Sequence, residues 1–167
     1  MKRFIREFIP EKSADDKDKL LPAFLDIWNH ADNLKFLSFT MKPFDQTIVR
    51  FWLENNKEQG GHYFCYADQN DDIAGIAVVK INPIEGFELF GLGVRPEFKS
   101  QGIGSKLIEY TINQARTLDF KAVDVSVFAD NIRMLRLLLS LDFVPVSMDF
   151  HKRSDGTDVV HMKRYFK

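Results

Sequence analysis

The residues best suited to chemistry lie in one stretch, Gly91 to Leu107, which reads GLGVRPEFKSQGIGSKL. Gly91 and Gly93 interrupt an apolar run from Phe87 to Val94, and glycine inside a strand marks a bulge or a close backbone approach by something else. Pro96 ends that strand, because it has no N–H for the ladder. Gly102 and Gly104 then open a helix whose first backbone N–H groups have no partner within the helix. With the positive end of the helix dipole, those groups make a site for an anion such as phosphate. Small residues there let the phosphate reach the backbone. Two familiar phosphate patterns do not fit. A G-x-G-x-x-G from Gly91 would need glycine at Pro96, and a Walker A loop would put Lys directly after its last glycine, where Ser105 stands.

Other reactive side chains are scattered. His30, His62, His151 and His161 show no metal-ligand spacing. Ser147, Asp149 and His151 alternate along one face of a late segment, and either line a pocket or form a solvated sheet face. Cys65 stands alone in an apolar run and reads as a core residue rather than a nucleophile. A lone cysteine excludes a disulfide framework and a cysteine metal site, and suits a reducing, cytoplasmic setting. Lys2, Arg3 and Arg6 read as a solvated strand edge.

The elements that would carry these residues follow from periodicity. A strand is expected over 3–9, closed by Pro10. Asp15 or Asp16 can cap a helix that ends near His30, since Leu20, Leu21, Phe24, Leu25, Ile27 and Trp28 recur at helical spacing. Residues 31–43 show no pattern and read as irregular, the kind of segment that sets specificity. A second helix runs from about Asp45 to Lys57 and is ended by Gly60-Gly61. Strands His62–Asp68 and Ile73–Ile81 are joined by a turn at Gln69-Asn70-Asp71-Asp72, and a third strand runs from Glu85 to Val94. The helix from Gly102 reaches about Leu118, and Lys121–Phe128 is a strand with Val123, Val125 and Val127 on one side. A helix from Asp130 or Asn131 to about Leu141 is apolar almost all round and should be largely buried. Strands Phe143–Phe150 and Thr157–Phe166 close the chain through a hairpin signal at Asp155-Gly156. The order β-α-α-β-β-β-α-β-α-β-β describes an α/β (α+β mixed sheet) fold. Its mixed, mostly antiparallel sheet is flanked by helices, with one central helical crossover, in a single domain over 1–167.

Composition limits the function. The 167 residues suit one domain, which buries roughly 70% of its unfolded surface without staples. Sixteen phenylalanines predict an aromatic-rich core. A net charge of −1 argues against a nucleic-acid partner, which needs a basic excess. No apolar run approaches ~18 residues, so no membrane span is expected. MKRFIREFIP is broken by charge too often for a signal peptide.

The stretch around the glycine turn resembles motif A of the GNAT superfamily of acyl-CoA-dependent N-acetyltransferases. That motif is Arg or Gln, two residues, Gly, one residue, Gly or Ala, after a strand ending in Val-x-Pro. Here it reads Lys99-Ser100-Gln101-Gly102-Ile103-Gly104, after Val94-Arg95-Pro96. Two further landmarks match: a valine-rich strand, Val123 to Phe128, before an asparagine that opens a helix, Asn131, and a Leu-Gly-Phe-like turn at Leu141-Asp142-Phe143. The match covers residues 62–164; before that only the element order agrees. The resemblance implies acetyl-CoA as cosubstrate and no metal. Its pyrophosphate would rest on the backbone amides of Lys99, Ser100, Gln101, Gly102, Ile103, Gly104 and Ser105. Its pantetheine arm would lie beside Leu92, Gly93 and Val94, where a bulged strand splays from its neighbour, with Asn131 on the other side. A backbone N–H near Leu92 would polarise the thioester carbonyl.

Three residues depart from the family pattern. Lys99 replaces Arg or Gln, and binding is expected to survive because the backbone does most of the phosphate work. Asp142 replaces a glycine, and Asp tolerates the left-handed conformation better than most residues. Leu138 stands seven residues after Asn131, where many members carry a tyrosine as acid for the CoA thiolate. Glu88, eleven residues before Lys99, is then the candidate base, at a spacing found in members resembling histone acetyltransferases. Partial burial beside Phe87 and Phe90 would raise its pKa; its other reading is an outward glutamate in water. The expected function is transfer of an acetyl group from acetyl-CoA to a primary amine of a small molecule or protein, by direct attack in a ternary complex. The alternative, prompted by Leu138, is a catalytically weak acyl-CoA-binding module of the same fold, a sensor or partner domain. Charge balance favours a small-molecule amine over a protein amine, and the aromatic content and final hairpin suit a homodimer.

Overall fold

The computed structural model describes residues 2–56 and 60–167. The chain runs β1 (Arg3–Phe8), α1 (Ala14–Asn29), α2 (Ala31–Leu37), α3 (Gln46–Asn55), β2 (Gly61–Asp68), β3 (Ile73–Asn82), β4 (Gly86–Val94), α4 (Ile103–Thr117), β5 (Ala122–Phe128), α5 (Ile132–Ser140), β6 (Val144–Asp149) and β7 (Val159–Tyr165). The seven strands form one sheet in the order β1-β2-β3-β4-β5-β7-β6. Only β4 and β5 pair in parallel, and α4 is the crossover between them. A second crossover, α5, carries the chain past the place that β7 later fills, so β6 becomes an edge strand.

The sheet buries its two faces against different helices. On one face Phe64, Ala77, Val79, Phe87, Leu89, Val125 and Met162 pack against Leu107, Ile108 and Ile112 of α4 and Leu138 of α5. On the other, Phe8, Tyr63, Cys65, Ile76 and Val78 pack against Leu20, Phe24, Ile27 and Trp28 of α1 and Val49 and Leu53 of α3. These are the alternating positions of each strand, as a sheet covered on both sides requires. Cys65 is buried within this second core, and burial pushes its thiol pKa up.

Four expectations need correction. Residues 31–37, read as irregular, form α2. Asn33 is the buried residue of α2; its amide donates to Ile27 O at 2.8 Å and Val94 O at 3.1 Å, tying the helix down without an apolar stripe. The cap of α1 is Ser13, whose Oγ accepts from the Asp16 N–H at 3.1 Å. Asp16 instead binds Arg6 at 3.0 Å and the Ile9 N–H at 2.8 Å. In α5 only Leu138 is buried, while Ile132 and Leu139 are exposed, because its outer face has no element packed on it among the described residues. β6 ends at Asp149, so His151 leaves the face it was expected to share with Ser147 and Asp149. It takes a φ of +54° and donates its N–H to Asp158 Oδ1 at 2.8 Å. The second helix ends at Asn55, and its expected end at Lys57 lies outside the described residues.

Candidate active site

The site begins with a bulge in β4. Val78 of β3 faces Gly91 and Val79 faces Leu89, which leaves Phe90 as the extra residue. The bulge reverses which residues face which core. Phe87 and Leu89 before it, and Leu92 and Val94 after it, all face the α4 side. Gly91 and Gly93 turn towards α1, where a Cβ on Gly91 would meet Trp28 at 3.2 Å and one on Gly93 would collide with Ile27. The close backbone approach expected at these glycines is therefore made by α1. Pairing of β4 with β5 stops at Leu89–Val125, so the two strands part beyond that point.

The chain then passes through a single turn at Pro96–Phe98 into α4. Ser100 and Gly102 take positive φ, +64° and +76°. Four helices have side-chain N-caps, supplied by Ser13, His30, Asp45 and Asn131. α4 starts at Gly102 with none, so its first amides are open to an external acceptor. Nothing lies within 4 Å of where a Gly102 Cβ would point. These amides open into a cavity of about 390 Å³ walled by α2, the end of β4 and the start of α5. Leu92, Val94, Lys99, Ser100, Gly102, Ile103, Gly104, Ser105 and Asn131 all line it. Gly93 does not, being buried under α1, and Gln101 faces an adjoining cavity of about 380 Å³ with Arg3 and Lys106. Asn131 acts as a cap, its Oδ1 accepting from the Met134 N–H at 3.2 Å. The fit to a pyrophosphate is direct: uncapped amides, a glycine with open space above it, and basic groups at the rim.

Sequence reading missed part of this wall. Asp32, Asn33 and Phe36 of α2 line the cavity, and Asp32 lies 3.8 Å from Lys99 Nζ. Arg133 reaches from α5 to donate to Ser100 Oγ at 3.2 Å, setting a cation beside the turn. Its place in the first turn after Asn131 was the available signal.

Beyond the reach of α1, the opposite face of the sheet is open. Glu88 lies there, half-buried, beside Asp124 on β5. Burial raises its pKa; Lys80 and His161 oppose the rise, and Asp124 and Glu85 add to it. The expected neighbours differ: Phe87 is buried on the other face against Phe120, and Phe90 is exposed with Lys80 Nζ 3.8 Å over its ring. In the next rows Lys163 pairs with Asp124 at 3.0 Å, and His161 joins Ser126 and Asp149. Of the last group, sequence spacing pointed only to Asp149, as a possible pocket residue beside Ser147; Ser126 and His161 were missed because the members come from three strands. Leu138 is fully buried in the core and has no path to this face. Asp142 holds φ +63°, the left-handed conformation foreseen for it. Among the described residues, no group of side chains could hold a metal ion.

Comparison with known proteins gives a consistent picture. The sequence model of the acetyltransferase (GNAT) family matches residues 20–143. The [ribosomal protein bS18]-alanine N-acetyltransferase of Escherichia coli K12 is 25% identical over 112 residues, covering 64% of this chain and 75% of the relative. The crystal structure of a ribosomal-protein-alanine N-acetyltransferase from Brucella melitensis superposes with a TM-score of 0.76 at 22% identity, over 98% of this chain and 99% of that one. A GNAT superfamily phosphinothricin acetyltransferase from Sinorhizobium meliloti, solved with acetyl-CoA, gives 0.76 at 15% identity, over 99% and 89%.

Proposed function

The chain belongs to the GNAT acetyltransferase family, and from that premise we propose that residues 1–167 form a single acetyltransferase domain that moves an acetyl group from acetyl-CoA to a primary amine. One observation carries the reading. The uncapped start of α4 opens into a cavity that reaches Leu92 and Val94, on the stretch of β4 past its last pairing with β5, and Glu88 stands on the open side of that same strand. The pyrophosphate is assigned to the amides of Lys99–Ser105, aided by Lys99 and Arg133. The pantetheine arm is assigned to the unpaired edge of β4 after Leu89, where it pairs like an added strand. Gly93 contributes backbone only, since its α-carbon is covered by α1.

The amine attacks the thioester carbonyl directly, in a ternary complex. A β4 N–H near Leu92 stabilises the oxyanion, and Glu88 takes a proton from the incoming ammonium, through a water. The acceptor is an amine of a small molecule or a protein. Charge balance supports the first, and the relatives that act on a ribosomal-protein alanine support the second. The single buried cysteine supports a reducing, cytoplasmic setting. The exposed edge of β6 supports a homodimer through the final hairpin.

The test is release of free CoA thiol from acetyl-CoA with a panel of amines: a peptide with N-terminal alanine, spermidine and phosphinothricin. Thiol release with one of them is expected. Acetyl-CoA binding without release from any would favour an acyl-CoA-binding module, the reading that Leu138 prompts.

A further inference from the structure

The open face of the sheet carries a second hydrogen-bonded set, distinct from Glu88. Ser126 Oγ lies 2.8 Å from His161 Nδ1, and His161 Nε2 lies 3.0 Å from Asp149 Oδ2. A carboxylate only accepts, so the neutral imidazole carries its proton on Nε2, and Nδ1 accepts from the Ser126 hydroxyl. Register produces the alignment: Ser126 of β5 and Ser147 of β6 both pair with His161 of β7, and Asp149 lies two residues along β6. Ser126 follows Val125, the last β5 residue paired with β4, so it is the first β5 residue past the fork, and it shares a face of the strand with Asp124, the partner of Glu88. The other charged groups facing His161 are Glu88 and the Asp124–Lys163 pair in the adjoining row.

An ammonium acceptor must lose two protons to become an amide N–H, one before attack and one from the tetrahedral adduct. One proton goes to solvent and the other ends on the CoA sulfur. Glu88 accounts for the first. We propose that Ser126, His161 and Asp149 form the second route, an inference that rests on the transferase reading above. The adduct N–H passes its proton to Ser126 Oγ as Ser126 passes its own to His161 Nδ1. Asp149 holds the resulting imidazolium. The proton returns through Ser126 to the sulfur as the C–S bond breaks and the carbonyl re-forms. Nothing is oxidised or reduced. The set fills the acid role for which Leu138 offers no group.

The experiment compares wild type with Ser126→Ala, His161→Ala, Asp149→Asn and Glu88→Gln, using acetyl-CoA and the panel amine that turns over. His161→Ala should lower kcat about 100-fold with CoA affinity unchanged, and added imidazole should restore part of the rate. Its pH–rate profile should lose an ionisation other than the one Glu88→Gln removes. Ser126→Ala, a small change at an exposed position, should lower kcat without altering the fold. Wild-type kcat and pH profile in both Ser126→Ala and His161→Ala would overturn the relay, as would a loss in His161→Ala that comes with lost CoA binding and no imidazole rescue. No thiol release by the wild type would overturn the transferase reading and the relay with it, so the two failures are distinct.

Discussion

Glu88 is pulled in opposite directions. Loss of water raises its pKa and Asp124 adds to the rise, while Lys80 and His161 oppose it. The net upward shift suits a base, which must be ionised to act yet hold a proton once it has taken one. Wild-type activity should therefore fall as the pH is lowered through this raised value. Glu88→Gln should lose that inflection and lower the rate most between the raised value and neutral pH, by about 100-fold, with CoA affinity unchanged; a pH–rate profile and calorimetry check it. Gly102 makes a second case. Its φ of +76° costs another residue about 1–2 kcal/mol, but the space above it is empty. Gly102→Trp should therefore fold and yet abolish CoA binding, as read by calorimetry. The glycine turn was legible because its meaning is local: it needs only a positive φ and a missing side chain. His161 was not, because its partners Ser126 and Asp149 are 35 and 12 residues away in sequence.

Elements are held to one another by contacts that no local pattern announces. α1 lies on β4 only because Gly91 and Gly93 carry no side chain. Gly93→Val would drive a side chain into Ile27 and should cost about 2–3 kcal/mol, measured by urea unfolding. Arg153, buried in the β6–β7 connection, donates to Lys35 O at 2.8 Å, Asp130 at 2.6 Å and Asp155 at 2.8 Å, and so fastens α2 and the start of α5 to the hairpin. Arg153→Met should cost about 2 kcal/mol and weaken CoA binding, since both walls of the cavity depend on it. Hydrogen bonding to Arg153 holds Asp155 well below the usual carboxylate range. Its contribution to stability is thus complete above the ordinary aspartate pKa and is lost as pH falls through the depressed folded value. Acid unfolding of Arg153→Met should lack that slope. α2 escaped sequence reading for a related reason. Its seven residues bury only Asn33, so there is no apolar period to detect, and it is held by the hydrogen bonds of Asn33 to Ile27 and Val94 together with Leu37, which packs on the core under α1.

At the scale of the molecule, the sheet is unevenly covered. α1 and α3 close one face over β1–β3, and the same face is polar where Asp124, Ser126, His161 and Lys163 stand, before Phe128 and Val159 bury it again. β6 forms the far edge, with Val144, Val146 and Met148 between 45% and 47% exposed and Phe150, just past its end, 67% exposed. An apolar edge of this kind recruits another strand. The wild type should sediment as a dimer and Val146→Lys as a monomer; a monomeric wild type would rule out the β6 edge as its interface. The sequence by itself determined most element positions, the glycine turn before α4 and the family, because periodicity, glycine placement and helix starts act over a few neighbouring residues. Tertiary structure alone decided that Gly93 serves α1, that α5 stays half-exposed, that α2 walls the cavity, and that Ser126, His161 and Asp149 meet. Each of these depends on strand register and order, above all on β7 entering between β5 and β6, and pairing across such distances leaves no local trace.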